Sequence, residues 1–183
     1  MAYRVDLGCG RAKQFGMIGI DCLEDSDADL IVDVDREGIP LPDDSCEAIY
    51  SNHSMEHFSR THFVLCEIWR IGMQGAQVTI RVPFVQAQAQ HDPAHARPFS
   101  EFWVRRCYWF RQHFADLRLE FEYDAELLEW ARRAVPGADD DVLRALFWNV
   151  GDNMTVHCTV CKPVAPFKTT HAEVEAETWW RQL

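Results

Sequence analysis

Val5-Asp6-Leu7-Gly8-Cys9-Gly10 is the stretch whose reading decides the fold of this chain. A short β-like run from Tyr3 to Leu7 ends in two glycines one residue apart. Glycines there permit a tight turn and let a ligand approach bare backbone. Further runs end in a related manner. Met17-Ile18-Gly19-Ile20 ends at Asp21, Leu30-Ile31-Val32 at Asp33, and Glu47-Ala48-Ile49-Tyr50 at Ser51-Asn52. Gln77-Val78-Thr79-Ile80-Arg81-Val82 ends at Pro83. These runs are strand-sized, β-branched and near-continuously apolar, which predicts strands covered on both faces. In open α/β sheets, ligands bind at the carboxyl ends of the strands. Three successive tips read glycine-rich, acidic, acidic. Asp21 is placed to accept from both ribose hydroxyls of an adenosine, and Asp33 to meet an adenine amino group.

Working outward, Val64, Ile68 and Ile71 repeat at helical spacing between the fourth and fifth strands. Ser59 or Thr61 serves as the cap, and Gly72 and Gly75 as the stop. Strand, helix, strand implies a right-handed parallel crossover. Beyond Pro83 a polar segment over 86–97 precedes an aromatic helix over 101–114. A strand over 117–123, helices over 125–134 and 140–148, and a closing strand over 155–161 follow. Asp139-Asp140-Asp141 reads as the acidic first turn of the last helix. Past Pro163 and Pro166 the tail is acidic and carries Trp179-Trp180.

Composition narrows the function. The 183 residues carry 18 Lys and Arg against 29 Asp and Glu, a net charge of −11. That balance disfavours a nucleic-acid partner, which needs clustered cations, and suits a neutral or cationic small ligand. The apolar runs are too short to span a membrane. No signal-peptide core opens the chain, so the seven cysteines read as reduced thiols of a cytoplasmic protein, monomeric or homodimeric. Cys158 and Cys161 form a C-x-x-C, but residues three apart on a strand face opposite sides. Core thiols are expected there, and no metal site.

The quoted tips, with Ile39-Pro40-Leu41-Pro42-Asp43-Asp44-Ser45-Cys46-Glu47 and Ser51-Asn52-His53-Ser54-Met55-Glu56-His57-Phe58, resemble a known family. It is that of the class I S-adenosylmethionine-dependent methyltransferases, particularly the small branch called methyltransferase type 11. Glu67-Ile68-Trp69-Arg70-Ile71 through Gly75, and Arg81-Val82-Pro83, look like its helix, glycine turn and fifth strand. The resemblance covers residues 3 to about 100. It implies a Rossmann-like α/β fold: a seven-stranded, mostly parallel sheet in the order 3-2-1-4-5-7-6, with the closing strand inserted antiparallel. Residues 1–165 would form the methyltransferase domain, with an aromatic helical insertion over about 84–150, and 166–183 an acidic tail.

S-adenosyl-L-methionine is the implied cofactor. Asp6, Gly8, Cys9 and Gly10 would surround its methionine part, Asp21 would hold the ribose, and Cys22 and Leu23 would lie beside the adenine. Asp33 would meet the adenine amino group, with Val34 supplying backbone. Ser51 and His53 would line the methionine and sulfonium side. Only thirteen positions separate Gly8 from Asp21, where a dinucleotide fold expects about 20, and Ala12 stands at the third glycine position. The first helix is therefore expected to be trimmed to a loop. Its absence counts against a pyrophosphate ligand, which needs a helix N-terminus.

Methyl transfer needs proximity, orientation and, for a protic acceptor, a base. His91, His95 and His53 are the candidate bases, suited by an imidazole pKa near 6.5. His57 reads as a packing residue. A metal site from His91, Asp92 and His95 would rest on spacing alone. Trp103, Tyr108, Trp109 and Phe110 could build an aromatic acceptor pocket or simply pack a helical cap. The expected function is methyl transfer to a hydroxyl or nitrogen of a small-molecule or sugar-like acceptor. Two alternatives are an NAD(P)-dependent reductase, for which no Tyr-x-x-x-Lys pair is present, and a non-catalytic protein that uses a methyltransferase-like shell to bind cofactor or a partner.

Overall fold

A computed structural model describes residues 2–84, 101–146 and 151–162. Seven strands form one sheet: β1 (Tyr3–Leu7), β2 (Ile18–Asp21), β3 (Leu30–Ile31), β4 (Cys46–Asn52), β5 (Gly72–Pro83), β6 (Phe114–Tyr123) and β7 (Gly151–Val160). Their order is β3-β2-β1-β4-β5-β7-β6. The first five pair in parallel, and β7 runs antiparallel to both β5 and β6. This is the expected topology. It puts the tips of β1, β2 and β4 side by side on one edge.

The helices are α1 (Val34–Glu37), α2 (Thr61–Ile71), α3 (Glu101–Arg106), α4 (Tyr108–His113), α5 (Ala125–Ala134) and α6 (Asp140–Leu146). No helix lies between β1 and β2, as the spacing predicts. The loop in its place is fastened to the β2–β3 connection instead. Asp27 N donates to Gly10 O at 2.7 Å, Lys13 Nζ bridges both oxygens of Asp29 at 2.9 Å, and Arg11 pairs with Asp25. These bonds supply in one loop the tertiary anchoring that a helix would provide by packing.

One face of the sheet is mostly apolar. Val5, Ile49, Val78 and Cys158 lie in register across it, beneath Val64, Leu65 and Ile68 of α2, and Trp109 and Phe110 of α4 join the same core. Burial of each such side chain contributes about 1.5–3 kcal/mol, an upper estimate because unfolded chains are partly compact. The opposite face is polar. A second row, Asp6, Tyr50, Thr79, His157 and Arg118, crosses the same strands, and the last four are half-buried or exposed. The expectation of strands covered on both faces is thus corrected. The alternation in Asp116-Leu117-Arg118-Leu119-Glu120-Phe121-Glu122 is the mark of a one-sided antiparallel sheet.

Other departures are local. Neither Ser59 nor Thr61 caps α2: Arg60 holds the N-cap position without a side-chain bond. Asp35 of α1 takes the amides of Ser59 and Arg60 at 3.0 and 2.7 Å, satisfying those donors from another element. At the far end Gly72 is extended and opens β5 at once. The single aromatic helix is two short ones, broken at Cys107 and ending where Phe114 enters β6. The last strand begins at Gly151, earlier than its β-branched run. The acidic start of α6 holds, with Asp139 Oδ1 accepting from Val142 N at 2.8 Å. α5 and α6 pack on each other through Leu128, Ala131 and Leu143, a cluster separate from the main core.

Candidate cofactor site

The site begins with a contact between the tips of β1 and β4. Gly8 has φ +68, and a Cβ there would stand 2.2 Å from Ser54 Cβ. No other residue fits without moving Ser54. Ser54 cannot easily move, because its hydroxyl donates to Leu7 O at 3.0 Å. That donation spends its one proton, so the 2.6 Å contact with Ser51 is a bond from Ser51 to Ser54. Ser51 is fully buried, and its hydroxyl faces this cluster.

Gly10 has φ +52 with open space where a Cβ would be, so its backbone is bare on the ligand edge. Its N–H donates to Asp21 Oδ2 at 2.8 Å, and Leu23 N donates to Asp21 Oδ1 at 2.9 Å. An ionised carboxylate has about four acceptor positions, so each oxygen of Asp21 keeps capacity for a hydroxyl. Leu23, next in the loop, is 56% exposed. Cys22 lies between two carboxylates: burial, then Asp21 and Asp33, pushes its thiol up. Asp33 holds the N-cap position of α1 without capping it, and Arg36 Nε stands 3.3 Å from its Oδ2. Val34 follows with its side chain in the core.

Asp6 is 2% exposed and accepts from Gln14 N at 2.7 Å through Oδ2. Burial raises its pKa against that bond, and Asp21 raises it further. Cys9 is buried beside both carboxylates, its thiol pushed up to about 11, chiefly by desolvation. It is a neutral thiol at physiological pH and not a nucleophile.

His53, also left-handed at φ +52, leads the loop after β4. Arg81 Nη1 stands 2.8 Å from its Nε2 and 3.2 Å from Asn52 Oδ1. Arg81 also makes a two-pronged pair with Glu122 of β6, at 2.9 and 2.5 Å, and Asn153 of β7 donates to the same carboxylate at 3.1 Å. The Arg81 guanidinium holds the Glu122 carboxyl below its ordinary range. This network ties β4 to the antiparallel end of the sheet.

The structure therefore gathers Asp6, Gly8, Cys9, Gly10, Asp21, Cys22 and Leu23 around one edge, with His53 on the adjoining tip. His91 and His95 lie outside the described residues, as does the 166–183 tail. Trp103 lies in α3 and Tyr108 in α4, while Trp109 and Phe110 are core residues, buried at 7% and 0% exposure. Cys158 is likewise in the core, its thiol raised to about 12 by burial. Among the described residues no cluster of three or more His, Cys, Asp or Glu could hold a metal ion. No helix among them is long and apolar enough to cross a membrane. Ser54, Arg81 and Glu122, which bond to or press on these tips, are residues that sequence reasoning missed. For Ser54 no signal stands in the sequence: Gly10 and Gly16 are left-handed as well, with nothing within 4 Å of a Cβ, so a glycine at position 8 does not announce its neighbour.

Residues 5–80 match a family model described as a methyltransferase domain. No curated protein matches the chain by sequence. Among solved structures, it is similar to a SAM-dependent methyltransferase from Archaeoglobus fulgidus, with 20% identity, 86% of each chain covered and a TM-score of 0.65. It is also similar to a geranyl diphosphate C-methyltransferase from Streptomyces coelicolor, solved with Mg2+, geranyl diphosphate and S-adenosyl-L-homocysteine. There the identity is 15%, the coverage 87% of this chain and 71% of that one, and the TM-score 0.56. A phosphoethanolamine N-methyltransferase from Haemonchus contortus, in complex with phosphomonomethylethanolamine and S-adenosylhomocysteine, is 14% identical with a TM-score of 0.57. This chain, 89% covered, spans half of it. At these identities the likeness is one of fold.

Proposed function

We propose that this chain, whose residues 5–80 match a methyltransferase-domain model, is a class I S-adenosylmethionine-dependent methyltransferase that methylates a hydroxyl or amine of a small-molecule or sugar-like acceptor. The observation that carries this reading is the pinned pair of tips. Gly10 and Asp21 are hydrogen-bonded at 2.8 Å, with bare backbone on one and spare acceptor capacity on the other.

When bound, the cofactor supplies a methyl carbon activated by its sulfonium. The chain holds and orients. Asp6, Gly8, Cys9 and Gly10 surround the methionine part, with Ser51 behind Gly8 and His53 toward the sulfonium. Asp21 accepts from the ribose hydroxyls. Cys22 and Leu23 flank the adenine, and Asp33 with the backbone of Val34 meets its edge. Support comes from exposed Leu23, an apolar surface beside an acidic pair, and from Gly10, whose open side admits a ligand. The acidic balance suits a cofactor with a sulfonium and an ammonium against one carboxylate.

The acceptor side is assigned to the segment after β5 and to His53, with His91, His95 and His53 as the candidate bases. In this reading 1–165 is one domain with an insertion over 84–150, and 166–183 a tail. The test is an acceptor screen read by S-adenosylhomocysteine release, followed by H91A and H95A on the best acceptor. Removal of a general base lowers turnover about a hundredfold or more and leaves cofactor affinity unchanged. Full activity in both single variants and the double variant would remove these two histidines from the reaction.

A further inference from the structure

Glu56 has no part in the assignments above, yet its setting is unusual. It sits in the 3-10 turn Met55–His57 after β4, is 3% exposed, and neither carboxylate oxygen has a hydrogen-bond partner among the described residues. A buried carboxylate without donors is costly, so its presence asks for a reason. His53 Nδ1 lies 3.4 Å from Glu56 Oε1.

His53 is held from the other side as well. Arg81 has only donors to offer, so Nε2, 2.8 Å from Arg81 Nη1, carries the lone pair, and Nδ1 of the neutral ring carries the proton. The backbone agrees: His53 N donates to Arg81 O at 2.9 Å, and φ is +52. Left-handed non-glycine residues persist only where their surroundings over-determine them, and they cluster at functional sites.

We propose that Glu56 is a positioning residue: its carboxylate faces Nδ1 of His53 at 3.4 Å and takes Nδ1–H as the ring becomes charged, which holds the Nε2 lone pair toward the acceptor. The proposal rests on the reading of His53 as an acceptor-facing base. Exposure divides the labour. The His53 side chain, 37% exposed, can meet an acceptor, and that of Glu56, 4% exposed, acts only through it. Arg81 fills the lone pair in this arrangement, but its Nε stays bonded to Glu122 at 2.9 Å, so it can yield Nε2 to an incoming hydroxyl or amine without losing its own place. The proton then passes from the acceptor's O–H or N–H to Nε2, leaving the electron pair on the acceptor atom that takes the methyl. The imidazolium so formed faces Glu56 and later releases its proton to water.

The test needs E56A, E56Q and H53A in the full chain. In isotope-labelled wild-type protein the His53 ring N–H gives a downfield, exchange-protected proton resonance, absent from H53A and from E56A. E56Q, whose amide oxygen still faces Nδ1–H but no longer offsets the charge of the imidazolium, is expected to turn over at least tenfold more slowly, to bind S-adenosylhomocysteine within twofold of wild type, and to melt no lower. Persistence of the resonance in E56A, or a melting temperature that falls in E56Q together with cofactor affinity, overturns the proposal and makes Glu56 a residue of the fold. Loss of turnover in H53A with full turnover in E56Q overturns this proposal alone. Full turnover in H53A overturns the base reading of His53, and this proposal with it.

Discussion

Gly10 N donates to Asp21 Oδ2 at 2.8 Å, a bond across eleven residues that joins the loop after β1 to the tip of β2. With Leu23 N on the other oxygen, the carboxylate is aimed before any ligand arrives. Preorganisation of this kind lowers the ordering cost of binding.

Asp21→Ala is accordingly expected to act twice. Charged hydrogen bonds are worth roughly 1.5–3 kcal/mol each, so loss of those to the ribose weakens S-adenosylhomocysteine binding by at least about tenfold. The amides of Gly10 and Leu23 also lose their acceptor, and the melting temperature drops by several degrees, at about 2–4 °C per kcal/mol. Asp21→Asn, which keeps one acceptor oxygen, falls between. Calorimetry and thermal melts on the same samples check both parts. Wild-type affinity in Asp21→Ala would remove Asp21 from the ribose.

Gly8→Ala tests the clamp between β1 and β4. The added Cβ would stand 2.2 Å from Ser54 Cβ on a backbone at φ +68. Destabilisation by more than about 2 kcal/mol is expected, since crowding and strain act together. In the double variant with Ser54→Gly the crowding is relieved and the strain remains, so the two changes are strongly non-additive. Simple additivity in denaturant unfolding would show that the two residues do not meet.

Arg70 makes a dense polar cluster away from the site. It bonds to Glu67 through Nε and Nη2 at 2.8 Å, to Ile39 O and Leu41 O at 2.7 and 2.8 Å, and to Asp43 at 2.7 Å. Glu67, 14% exposed, also accepts from Ile39 N at 2.8 Å. These bonds keep the Arg70 guanidinium well above even its ordinary pKa. Arg70→Ala strands a half-buried carboxylate and two carbonyls, and a loss of about 3–5 kcal/mol follows. A loss under 1 kcal/mol in urea unfolding would show that solvent already satisfies these groups.

Stability should fall as the medium is acidified through the imidazole range. Burial, and then His113, lowers the pKa of His62. The unfolded chain therefore binds a proton near pH 6.5 that the folded chain refuses. The contribution is present above that value and is lost as pH drops below it, at up to about 1.4 kcal/mol per unit for one proton. Asp6 works in the opposite sense lower down, because its raised pKa means that protonation relieves a buried charge in the fold. Urea unfolding at pH 7.5, 6.5 and 5.5 measures the slope, and His62→Gln should flatten it. An equal slope in that variant would assign the acid sensitivity elsewhere.

What the sequence made legible was local. Glycine at positions 8 and 10 and acid at 21 and 33 follow strand-sized runs closely enough to be read by eye, and the short span from Gly8 to Asp21 excluded a helix by length alone. The expected and observed limits of α5 agree, and Asp124 caps it by accepting from Glu126 N and Leu127 N. The rest depends on register. Asp35 reaches Arg60 across 25 residues and Arg81 reaches Glu122 across 41, so neither partner can be read before the strands are paired. The polar face of the sheet is a different matter: its alternation stands plainly in Asp116 to Tyr123.

Titration of the purified chain with S-adenosylhomocysteine, beside NADH, in an isothermal calorimeter tests the central claim most directly. The account predicts saturable one-to-one binding of S-adenosylhomocysteine and no heat from NADH, with the melting temperature raised by the first alone, since a ligand of the native state stabilises it. Saturable NADH binding, or no heat with S-adenosylhomocysteine at millimolar concentration, would contradict it.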